Sequence, residues 1–173
     1  HLGWRPSRAH VEESDCSASC REVLTVMDSV NQHTRQVVDQ FSRQAVYFAK
    51  LPGHEEATQM LMRMAEIAAA DGVLDVACGA GAVACTAARL ARQVTGIDLT
   101  PAMIQRAAAL QAELCLANLE WHLGDAARLP FRSDQFDAAV TRYSLHHFLQ
   151  PAEVLAEMVR VCKPSGRVAV ADL

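Results

Sequence analysis

No apolar run in this 173-residue chain approaches the roughly 18 residues that a membrane-crossing helix needs, and no secretory-leader pattern opens it. The chain begins on His1 rather than Met, as a trimmed or processed start would. Positive charge is not in excess either. Sixteen Lys and Arg face 20 Asp and Glu, leaving a formal net charge of −4 and a pI of about 6.0. That balance offers no general attraction to a nucleic-acid backbone, so neither nucleic acid nor membrane is expected as a partner, and a cytoplasmic location is. Zinc-type spacing is missing as well. Six cysteines lie at 16, 20, 78, 85, 115 and 162, and Cys16 and Cys20 are four apart, but no second Cys/His pair completes a site. No metal is expected, and reduced, mostly buried thiols are the plain reading. Internal repeats and low-complexity segments are absent.

What is present is apolar content of 51%, enough for a sizeable core in one domain. Residues 1–30 carry no sustained period and read as a tail or cap. Residues 31–72 read as a helical cover. Val37, Phe41, Ala45 and Phe48 recur at helical spacing up to Pro52-Gly53, and Ala57, Leu61, Met64, Ala65 and Ala68 mark a second helix closed by Asp71-Gly72. From residue 73 strands and helices alternate. Strands are predicted at Val73 to Ala77, Val94 to Asp98, Leu119 to Leu123, Phe136 to Thr141 and Arg167 to Ala171. Helices are predicted from Ala82 to Ala91, from Pro101 (behind Thr100 as N-cap) to Ala117, and from Pro151 to Cys162. Such alternation implies parallel strands joined by right-handed crossovers, hence an open α/β sheet. Ligands of such sheets bind beyond the carboxyl ends of the strands, at the switch point.

The first strand runs into Cys78-Gly79-Ala80-Gly81, a Gly-x-Gly turn followed by a helix. Glycine there removes side chains where a ligand approaches the backbone, although a tight turn without a ligand uses the same residues. Gly79-x-Gly81-x-x-Ala84, with Asp98 after the second strand, also fits a looser dinucleotide fingerprint. An NAD(P)-dependent oxidoreductase is therefore a competing reading. Three features weigh against it. Asp75 would repel a pyrophosphate but suits an ammonium or sulfonium. Two helices precede the first strand. Gly124-Asp125-Ala126 follows the third strand, where an adenine-binding acid would belong.

From Phe41 onward the chain resembles the class I methyltransferases that use S-adenosyl-L-methionine (SAM), in the UbiE-like, methyltransferase type 11 branch. Leu74-Asp75-Val76-Ala77-Cys78-Gly79-Ala80-Gly81 resembles that family's first motif, with Ala77 where glycine is common. Ile97 to Met103 resembles the second motif; Gly124-Asp125-Ala126 with Leu129-Pro130-Phe131 resembles the third. Phe136-Asp137 into Ser144 to Phe148, and Arg160 to Arg167, resemble the approaches to the fourth and fifth strands. The resemblance implies a Rossmann-like open parallel sheet of order 3-2-1-4-5 with flanking helices, SAM as cofactor over residues 73–173, and methyl transfer to a small organic acceptor. It also implies roles. Asp98 would accept from both ribose hydroxyls, unless it is a solvated acid after a strand. Asp125 would take the adenine amine and the Ala126 N–H the ring, unless Asp125 caps a helix. Leu99 and Met103 would flank the adenine or serve as core. Gly79, Gly81, Ala77 and Asp75 would face the methionine end, with Arg142 lining the pocket and Tyr47 closing over it or packing in the core.

Methyl transfer from a sulfonium needs alignment and exclusion of water more than side-chain chemistry. His146 and His147 follow the fourth strand, and one of them could serve as base, or both could be cap and packing residues. The family fold usually adds a helix and a final antiparallel pair of strands that Arg167 to Leu173 does not reach. The fifth strand would then be an open edge, expected to be covered in a homo-oligomer if the chain is not a fragment or a shortened member. A SAM-binding module without activity of its own is thus the other reading.

Overall fold

The computed structural model describes residues 32, 33, 35–41 and 54–172. Tyr47, Cys16 and Cys20 lie outside the described residues. Residues 32–33 and 35–41 are helical. Five strands follow: β1 Gly72–Val76, β2 Gln93–Asp98, β3 Leu119–Leu123, β4 Phe136–Arg142 and β5 Cys162–Ala171. Helix α1 (His54–Met64) precedes them, and α2 (Ala82–Ala88), α3 (Pro101–Glu113) and α4 (Pro151–Val161) connect them. The sheet has order β3-β2-β1-β4-β5 and every pairing is parallel. That is the expected topology, with β3 and β5 as edges.

Both faces of the sheet are covered because the central strands are apolar on both sides. Val73, Ala138 and Val140 pack with Leu61, Val83 and Ala87 on one face. Leu74, Val76 and Ala139 pack with Val154, Met158 and Val161 on the other. A two-sided core is what a parallel sheet requires.

Two helices stop earlier than their periodicity suggests, for one reason. α1 ends at Met64 rather than near Ala68, with Glu66 at φ 47. α3 ends at Glu113 rather than near Ala117, with Cys115 at φ 53. In each case the paired reverse hydrogen bonds of a Schellman motif close the helix: Ile67 N–H to Met62 O with Glu66 N–H to Arg63 O, and Leu116 N–H to Gln111 O with Cys115 N–H to Ala112 O. Glycine normally marks that left-handed position; here Glu and Cys occupy it and leave no signal. α2 likewise stops at Ala88 and continues only as a turn. β5 begins at Cys162 instead of Arg167, because Cys162 already pairs with Phe136; the next partners are Ala138 and Arg167, so the expected Pro164-Ser165-Gly166 turn survives as a bulge inside the strand. Thr100 occupies the N-cap position of α3 but makes no side-chain cap bond; its hydroxyl serves Asp98 instead.

The indole of Trp121 on β3 decides two glycines. A Cβ at Gly96 would lie 2.5 Å from Trp121 Cε3, and one at Gly81 would lie 2.8 Å from both Trp121 Cη2 and Ala107 Cβ. The ring cannot easily retreat. Its Nε1 donates to Gln111 Oε1 at 2.7 Å, and Gln111 Nε2 is itself tied to the Leu116 and Leu119 carbonyls. Gly96→Ala is expected to lower stability by about 1–3 kcal/mol, the usual cost of overpacking, in denaturant unfolding. The loss should shrink in a Trp121→Leu background. An alanine variant as stable as the parent would show that the ring has room to move.

Candidate functional site

The carboxyl ends of β1, β2 and β4 open into one crevice, where the switch-point rule puts a ligand. β1 delivers Asp75 and then leaves regular geometry. Ala77 (φ 54), Gly79 (φ 53) and Gly81 (φ 86) all take the left-handed conformation as the chain turns into α2. Ala77 is therefore strained by roughly 1–2 kcal/mol where glycine would not be. Gly79 lines the crevice, and a Cβ built there meets nothing within 4 Å, so its hydrogen leaves open space above the backbone. Gly81 does not line the crevice. It is buried beneath Trp121 and Ala107, so its expected place facing a ligand is corrected to a packing role.

β2 delivers Asp98. Its Oδ2 accepts the Gly79 N–H at 2.8 Å and its Oδ1 the Thr100 N–H at 2.8 Å. One carboxylate thus ties the loop after β1 to the loop after β2. Burial nevertheless pushes its pKa up, against the opposing hydrogen bonds of Thr100, Gly79 and Leu99.

Asp75 is more extreme. It is 1% exposed. Burial raises its pKa to about 8, opposed by the Arg142 guanidinium and the Ala84 N–H and reinforced by the Asp98 charge. Its Oδ2 has no hydrogen-bond partner among the described residues. A buried, unsatisfied carboxylate oxygen on a crevice wall favours a cationic or hydrogen-donating guest. Together with the open space over Gly79, this donor and acceptor set fits an adenosyl cofactor carrying positive charge.

The remaining expected residues divide. Leu99, Met103, Gly124, Asp125, Ala126 and Arg142 all line the crevice. Met103 is buried yet reaches the wall, so the core and site readings of it are compatible. Asp125 is exposed, and its Oδ1 already accepts the Ala127 N–H at 2.9 Å, a local turn contact that leaves Oδ2 for other use. Arg142 donates to Thr58 Oγ1 at 2.6 Å and stands over the Tyr143 ring at 5.1 Å. Burial lowers its pKa and the Asp75 charge raises it.

The two histidines, adjacent in a 3-10 turn at Leu145–His147, separate. His147 lines the crevice. Its ring meets Phe41 edge-on at 4.8 Å, and its pKa is lowered first by burial and then by neighbouring His146. His146 does not line the crevice. It is exposed, and its Nδ1 pairs with Asp172 Oδ1 at 2.7 Å. Of the paired base candidates, only His147 keeps a place in the site.

Sequence reasoning missed His33, Val37 and Phe41, which wall the crevice from the N-terminal helical residues. Their i, i+4, i+8 spacing puts them on one helical face and was the available signal. His33 Nε2 bonds the His147 carbonyl at 2.9 Å, linking that wall to the turn after β4. Phe148, Leu149 and Glu153 were missed as well. Among the described residues no helix is long and apolar enough to cross a membrane, and no cluster of three metal-ligating side chains occurs.

Comparison with known proteins bears directly on this crevice. The sequence profile described as "Methyltransferase domain" matches residues 74–170. The uncharacterized methyltransferase YcgJ of Bacillus subtilis is 31% identical over 134 residues, covering 76% of this chain and 53% of that protein. The 2-phytyl-1,4-naphtoquinone methyltransferase of Synechococcus elongatus is 34% identical over 124 residues, covering 69% and 53%. The crystal structure of YcgJ superposes with a TM-score of 0.66 at 32% identity, covering 68% of this chain and 50% of that one. That of the [4+2]-cyclase SpnF gives 0.64 at 31%, covering 67% and 43%. The chain spans about half the length of these relatives. The profile match takes in more than half of the chain and sets aside the oxidoreductase reading: the chain belongs to the class I SAM-dependent methyltransferase family.

Proposed function

We propose that the crevice binds SAM and serves methyl transfer to a small organic acceptor. The observation that carries the proposal is the pair of carboxylates at the switch point: Asp98 with both oxygens aimed at the loops of the crevice, and Asp75 buried beside it with one oxygen unsatisfied. Asp98 receives the ribose hydroxyls, which take the place of the Thr100 hydroxyl on the carboxylate. Asp125 and the Ala126 N–H read the adenine edge, with Leu99 and Met103 against its faces. Asp75 balances the positive end, and the bare backbone at Gly79 lets that end come close. SAM, when bound, supplies an activated methyl group on a thioether leaving group.

The chain's own part is alignment, exclusion of water and proton handling. Phe41, Val37, Phe148 and Leu149 provide an apolar wall suited to the body of an organic acceptor. His147, held neutral by its depressed pKa, accepts a proton where the acceptor must lose one. A second reading, cofactor binding without methyl transfer, is kept because one of the similar structures, SpnF, is described as a [4+2]-cyclase and not as a methyltransferase. Firm SAM binding with no labelled-methyl product across a broad acceptor panel would select it.

Asp98→Ala is expected to weaken SAM by roughly 1.5–3 kcal/mol, the range for hydrogen bonds to a charged group, in titration calorimetry. Unchanged affinity would remove Asp98 from the site.

The Asp75 carboxyl, titrating at about 8 when free, is ionised by an adjacent cation. Binding at neutral pH should therefore release ~1 proton, visible as a dependence of the calorimetric heat on buffer ionisation. Affinity should rise with pH through neutrality and level off above about 8. Asp75→Asn should abolish the proton release; its persistence would assign the proton elsewhere.

With an acceptor that must be deprotonated, His147→Gln should lower kcat by roughly 10²–10⁴-fold, and His146→Gln should leave it nearly unchanged. Equal losses in both variants would contradict the division between them.

A further inference from the structure

The loop that follows β3 contributes Gly124, Asp125, Ala126 and Ala127 to the crevice. Its near end is tied by the Gly124 N–H to the Asp98 carbonyl at 3.0 Å and by a turn that closes the Arg128 N–H onto the Asp125 carbonyl at 3.1 Å. A fork on α4 holds its far end. Arg160 Nη1 donates to the Phe131 carbonyl at 2.9 Å and Nη2 to the Leu129 carbonyl at 3.0 Å. Glu157 Oε2 accepts the Leu129 N–H at 2.8 Å. The two side chains also brace each other, Arg160 Nε on Glu157 Oε1 at 2.5 Å and Nη2 on Oε2 at 2.8 Å. Mutual pairing holds Glu157 below the ordinary carboxylate range and Arg160 above its own, chiefly through that bond. Beneath the fork, Ala126 and Leu129 are packed into the core with Val154, Met158 and Val161. Three backbone groups of one loop are thus fixed from a helix, and neither Arg160 nor Glu157 lines the crevice.

We propose that Arg160 and Glu157 are positioning residues for cofactor binding, setting the placement of the Asp125-Ala126 backbone that reads the base. This rests on the assignment of the crevice to SAM. A planar guanidinium spanning two carbonyls specifies the loop path in a way that an ammonium cannot. Displacements of about 1 Å at a binding group are enough to change affinity or rate by one to two orders of magnitude.

Arg160→Met and Arg160→Lys test the idea, with affinity measured for SAM and for adenosine, and amide exchange followed at Ala126 and Ala127 in the free protein. Arg160→Met should weaken both ligands about tenfold, since both carry the base, and should speed exchange at those amides. Arg160→Lys should fall between it and the parent. Proton release on SAM binding, which reports Asp75, should be unaffected. A merely structural role would lower the melting temperature while leaving the affinity of the folded protein and the local exchange as they were, and that result overturns the proposal. A parent chain that binds neither SAM nor adenosine overturns the cofactor assignment itself, and this inference with it.

Discussion

Asp98 accepts one backbone N–H from the loop after β1 and another from the loop after β2, both at 2.8 Å. Adjacent parallel strands bring these loops to the same end of the sheet, and the Cys78 N–H on the Ile97 carbonyl at 3.0 Å carries the pairing just past Val76. Beyond that point the carboxylate ties them. It is the acceptor for the Gly79 and Thr100 amides, and the left-handed backbone at Ala77 and Gly79 gives the first of them its direction. The crevice exists in its present shape because a charge that burial disfavours is kept there by the hydrogen bonds it receives.

Asp75 shows the other side of the same electrostatics. Its neighbours do not satisfy it fully, since one oxygen lacks a partner among the described residues and Arg142 only partly opposes the desolvation. Arg142 in turn is shared with Thr58 on α1, so the wall of the crevice is joined to the helical cover through a hydrogen bond. A buried acid of this kind is destabilising for the empty protein near neutrality. In the protonated form it carries no charge to desolvate, so its penalty grows as pH rises from the ordinary carboxylate range toward about 8. Such strain at a binding wall is relieved by a positively charged guest.

Packing at the far side of the same loops is equally specific. Trp121 lies across Gly81 and Gly96, pinned by Gln111, and thereby sets how closely the turn after β1 approaches α3. Of the two glycines in the turn, Gly79 leaves room for a ligand and Gly81 leaves room for an indole. They look alike in the motif. Only the position of a residue forty places away distinguishes them.

Local sequence determined the open parallel α/β sheet and the location of the crevice, because apolar runs, right-handed crossovers and a glycine turn are properties of short segments and of chain chirality; the strand order followed from the family resemblance. It also identified the carboxylates at 75, 98 and 125, which lie near the end of β1, at the end of β2 and just beyond β3. Tertiary structure alone decided which of two adjacent histidines faces the crevice, since a 3-10 turn rotates successive side chains apart and Asp172 draws His146 outward. It also decided that His33, Val37 and Phe41 wall the site, and that the helices ending at Met64 and Glu113 are closed by Glu66 and Cys115 in conformations their side chains do not advertise. These outcomes depend on what stands opposite each residue in space, which adjacency along the chain does not encode.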